Sequence, residues 1–161
     1  MSRWTGSWLS GPSAAHDPAE RTTQAWPGER LGLPKEGPGA AASRGARLAA
    51  LFIDFVIAAL VTSLFVRMDI QQPEVMGHFN RWAIAVWFLI SVGAISLFGF
   101  TAGMAAVGIR AVRLDGSPMV GPLRAILRAA LTAIIIPAAI WDADNRGLHD
   151  KAAGTIVLRV R

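Results

Sequence analysis

No cysteine occurs in the 161 residues, which excludes disulfide staples, thiolate nucleophiles, iron–sulfur clusters and Cys-type zinc sites. Charge is also scarce: 17% of residues are Asp, Glu, Lys or Arg, against about 25% in ordinary soluble domains. No phosphate-cradling glycine loop, haem-attachment motif or zinc signature occurs in the chain, and no Ser or Thr of the apolar runs has a base beside it. Neither an enzyme nor a bound cofactor is therefore expected. What is abundant is apolar surface, 53% of residues, gathered into long uncharged runs, as in chains that fold in lipid. The net charge of +5 flanks these runs. No basic recognition helix carries it, so it reads as membrane topology and contact with anionic lipid, not nucleic acid.

Residues 1–43 are rich in Pro, Gly, Ser and Ala, and their breakers recur too often for a helix or strand to propagate. They read as an extended cytoplasmic tail with Trp4, Trp8 and Trp26 as docking residues, because chains that stay unstructured are poor in aromatics. The first long apolar run lies too far into the chain for a cleaved signal peptide. Residues 44–161 read as an all-α membrane domain. Leu48 to Val66 has a single charge, Asp54, and nearly matches the roughly 30 Å hydrocarbon core. Residues 67–81 read as a loop. Trp82 to Ile109 has no charge and holds a second helix over about 82–103, with Gly99 and Gly103 in a GxxxG spacing suited to helix packing. A third helix is expected over about 124–141, interrupted by Pro137, and it either spans or re-enters. A C-terminal tail follows over 142–161.

Arginine placement sets the threading: Arg44 and Arg47 precede helix one, and Arg110, Arg113, Arg124 and Arg128 follow helix two, which puts the N-terminus in the cytoplasm. In the re-entrant form the C-tail returns to that side, where TIVLRV at 155–160 can pair with GIRAVRL at 108–114.

A carboxylate within a membrane helix is expensive unless paired or hydrated, so Asp54 asks for a partner. Arg47, two turns earlier, shares its face but is too far for contact; Arg128 is the expected partner across the helices. His149 and Asp150 are neighbours in the chain and are not expected to face one another; a juxtamembrane structural role is expected of His149. Asp142 and Asp144 read as a hydrated helix end.

Three stretches, SRGARLAALFIDFVI, FTAGMAAVGIRAVRLDG and RGLHDKAAGTIVLRV, resemble the RDD family of small membrane proteins, named for one Arg and two Asp residues. Arg47 and Asp54 match the first-helix pair and Asp150 the later acid. The tail GERLGLPKEGPGA resembles the linker of actinobacterial members. Many members carry Thr-Pro-Gly-Lys where this chain has Thr101-Ala102-Gly103-Met104. The resemblance implies a membrane fold and, for activity, transport of an unidentified ligand. The residues themselves favour a non-enzymatic accessory or assembly subunit of a larger complex in the cell membrane, with a respiratory complex the first partner to test. Two or three helices are too few to enclose a polar pathway alone. The alternative is a homo-oligomeric transporter or ion/proton exchanger in which Asp54 and Arg128 line a shared path.

Overall fold

The computed structural model describes residues 25–117, 119–134 and 144–161. Helix α1, Arg44–Ser63, starts at Ser43, whose hydroxyl accepts the Ala46 N–H at 3.3 Å, so one of the free first-turn donors is satisfied. Helix α2, Pro73–Phe98, begins with proline, whose missing N–H costs nothing in a first turn. It thus starts nine residues earlier than the expected Trp82, and most of the expected loop 67–81 is helical. A short helix α3, Ala102–Val107, leads into strand β1, Ile109–Arg113; helix α4, Pro122–Ala133, follows, then helix α5, Leu148–Ala153, and strand β2, Thr155–Arg159.

At 20 and 26 residues, α1 and α2 are about 30 and 39 Å long, and both are long and apolar enough to cross a bilayer. They pack on one another but keep wide outer faces. Phe52 is 70% exposed and Leu89 69% exposed, whereas a soluble protein would bury such stretches in its core. No other helix among the described residues meets that length and composition. Of the third expected helix, α4 accounts for residues up to 133; residues 135–143, with Pro137 and Asp142, lie outside the described residues.

The expected all-α architecture carries one addition. Strands β1 and β2 pair antiparallel, from Ile109 opposite Arg159 to Arg113 opposite Thr155. The N-terminal segment runs along the other edge of β2: the Ala42 N–H donates to the Val157 carbonyl at 2.9 Å, and the Arg159 N–H to the Ala40 carbonyl at 2.9 Å. The start of α1, the end of α2 and both strands therefore lie at one end of the molecule. The start of α4, where the Gly121 N–H donates to the Ser96 carbonyl at 3.3 Å, and Asp144, whose Oδ1 accepts the Gly28 N–H at 3.3 Å, lie at this end too. A small core of Ala42, Ala50, Ile95, Met104, Ala125 and Val157 binds strands to helices.

Two sequence expectations change here. Gly99 and Gly103 do not share a helix. Gly99 ends α2 with φ 76°, and a Cβ there would lie 2.7 Å from the Ala111 carbonyl oxygen, so only glycine lets the chain turn back so close to β1. Gly103 belongs to α3. The part of the tail that is described is also not simply extended. A 3-10 turn spans Glu29–Leu31, and the Trp26 indole N–H donates to the Leu33 carbonyl at 2.9 Å, so Trp26 serves a local fold of its own chain. Trp4 and Trp8 lie outside the described residues.

Candidate functional site

Three charged side chains converge where α1, α4 and α5 meet the strand pair. Arg47 stands in the first turn of α1, Arg128 in the middle of α4 and Asp150 in α5. Asp150 is fully buried, with one guanidinium on each oxygen: Arg47 Nη1 donates to Oδ2 and Arg128 Nη1 pairs with Oδ1. Strand β2 supplies further partners. Arg47 Nη2 donates to the Val157 carbonyl at 3.4 Å, Arg128 Nη1 to Thr155 Oγ1 at 3.2 Å, and the Thr155 hydroxyl to Asp150 Oδ1 at 3.2 Å. A carboxylate shared by two arginines is tolerable in a low dielectric because every partner is held in place. The arrangement ties three helices and a strand to one point.

The expected pairing of Arg128 with Asp54 is thereby corrected. Asp54 is held by α3: the Thr101 hydroxyl donates to Oδ2, and the Gly103 N–H to Oδ1 at 2.7 Å. Thr101 also caps α3 by accepting the Met104 N–H at 3.2 Å. A Cβ on Gly103 would stand 2.9 Å from the Asp54 carboxyl carbon and would collide with the Ala50 carbonyl, so glycine is what allows α3 to lie against α1. Gly103 thus lets α3 pack on α1, and Gly99 turns the chain; the two do not form one helix face.

His149 corrects a second expectation. Although next to Asp150 in sequence, its Nε2 lies 3.6 Å from Asp150 Oδ2, because the first turn of α5 folds both side chains toward the helices. Burial, followed by the fields of Arg128 and Arg47, lowers its pKa from 6.5 to about 3, so the ring is neutral at physiological pH. Asp144, expected at a hydrated helix end, is 5% exposed and binds the N-terminal segment through Gly28 and, at 3.5 Å, Arg30.

A cavity of about 90 Å³ adjoins this cluster, with Arg47, Asp54, Trp87, Thr101, Arg128 and His149 among its lining residues. Arg47 and Asp54 share the face of α1 that their seven-residue spacing predicts. Thr101 and Thr155 were not expected to act in the site; Thr101 was marked only by the turn it opens, which departs from the family pattern. Among the described residues no group of three or more His, Asp or Glu is placed to hold a metal ion.

The family model described as the RDD family matches residues 41–154, from the segment beside β2 to the end of α5. No curated protein and no solved structure matches the chain.

Proposed function

Since the chain belongs to the RDD family of membrane proteins, we propose that it is a non-enzymatic accessory or assembly subunit of a larger complex in the cell membrane, its N-terminal end cytoplasmic. A respiratory-chain complex is the first partner to test. The observation that carries this reading is the use made of the charges. Arg47, Arg128 and Asp150 satisfy one another and fasten α4, α5 and β2 to α1, while the outer faces of α1 and α2 are apolar and broad. Such a molecule offers neighbours a rigid pair of helices. The cytoplasmic placement follows from Arg44, Arg110, Arg113 and Arg124 at the end where the strands lie.

A second reading, a homo-oligomeric transporter or ion/proton exchanger, is favoured by one observation: Asp54, Arg47 and Arg128 line the same cavity. Purification of the tagged full chain from its native membrane in mild detergent separates the two. Co-migration with other membrane subunits in fixed stoichiometry, and no flux in liposomes, is expected. A species containing only this chain, with flux abolished by Asp54→Asn, contradicts the accessory role.

A further inference from the structure

The cavity holds polar atoms that the ion cluster leaves unused. Trp87 is 3% exposed and stacks on Phe55 with ring centroids 4.9 Å apart. Its indole Nε1–H has no acceptor among the described residues, and neither has His149 Nδ1 a partner there. Buried N–H groups are normally paired, and one left open beside a cavity asks for an acceptor.

What kind of acceptor follows from charge, size and access. The formal charges of Arg47 and Arg128 cancel those of Asp54 and Asp150, so an added ion would be uncompensated in a low dielectric. The rest of the lining is mainly apolar, as at Leu51, Ile95 and Val157, which suits a neutral molecule. About 90 Å³ is less than the roughly 150 Å³ of a dry cavity that takes benzene, so only the edge of a larger molecule enters. Helices α1 and α4 pack mainly on other elements instead of on each other. Between them the cavity is bordered by Leu48, 61% exposed on α1, and by Thr132 on α4. With α1 in a bilayer, that border faces lipid.

We propose that this cavity binds a neutral, membrane-dissolved molecule that offers a carbonyl oxygen to the Trp87 indole N–H, its apolar remainder lying in the lipid between α1 and α4. A glycerolipid ester and a quinone share this chemistry. Trp87 precedes Phe98, the last residue of α2, by eleven positions, about 16 Å along the helix axis. This depth suits a ring that travels within the hydrocarbon better than an ester anchored at the interface.

The test uses the full chain in nanodiscs of ether-linked phosphatidylcholine, which carries no ester carbonyl, titrated with a naphthoquinone bearing one isoprene unit. Retention of quinone absorbance above that of empty discs is expected to saturate. Trp87→Phe, which keeps the ring stack but removes the donor, is expected to weaken retention about fivefold. Ala129→Leu, which fills the α4 wall of the cavity, is expected to weaken it at least as much. Displacement by added diacylglycerol assigns the site to a lipid ester, and resistance to displacement assigns it to a quinone; both outcomes uphold a carbonyl site. Retention that rises linearly as in empty discs, or saturation unchanged in both variants, overturns it. Should a variant fail to fold, saturation and competition in the unaltered chain decide.

Discussion

Asp150 has a guanidinium on each carboxylate oxygen, so neutralising it strands two buried cations. Asp150→Asn is expected to lower stability by about 3–5 kcal/mol, read from unfolding in detergent. Replacing all three members by apolar residues (Arg47→Leu, Arg128→Met, Asp150→Leu) is expected to recover most of that loss, because no charge is then left unpaired. A triple variant less stable than Asp150→Asn would refute the view of the cluster as a fastening. His149 makes a pH prediction. Its folded pKa, about 3, lies below the ordinary 6.5, so the unfolded chain binds the extra proton first. The stability that the neutral ring contributes is fully present above pH 6.5 and is lost as pH falls toward 3, at up to about 1.4 kcal/mol per pH unit. His149→Asn is expected to flatten this part of the profile relative to the unaltered chain. At this scale the sequence singled out Asp54 because a charge inside an apolar run is conspicuous, Arg47 and Arg128 as the charges nearest to it, and Asp150 through the family resemblance. It paired them wrongly, since the partner of Asp54 is a hydroxyl and a backbone N–H, neither of which stands out in a sequence.

Elements were legible where one period or composition dominates. The apolar runs predicted α1 and α2, whereas the pairing of β1 with β2 was offered only within the re-entrant threading. The limits of α2 were misplaced because its first turns, from Pro73 to Arg81, carry Glu74, His78, Asn80 and Arg81, so hydropathy alone reads them as loop. Gly99 and Gly103 misled for a related reason: a GxxxG spacing implies a packing face only if the helix continues through it, and here it stops at Phe98. Gly103→Ala tests the corrected role. Its Cβ would press on the Asp54 carboxyl group and the Ala50 carbonyl, and the substitution is expected to cost about 1–3 kcal/mol by overpacking. Gly93→Ala, on α2 with open space around it, is expected to change stability little in the same assay.

The whole molecule is lopsided. Two apolar helices run one way and back, while the strand pair, the ion cluster and most arginines gather at one end. This follows from β2 pairing with both β1 and residues 39–42, a long-range register that hydropathy could offer only as one of two threadings. The absence of cysteine makes the most direct measurement simple. Single cysteines at Lys35, Gln71 and Val160, all exposed, are labelled in sealed membrane vesicles with a membrane-impermeant maleimide. Positions 35 and 160 are expected to react from the same side and position 71 from the opposite one. Labelling of 160 together with 71, or of all three from one side, would contradict a two-crossing molecule closed at one end by its strands and buried arginines.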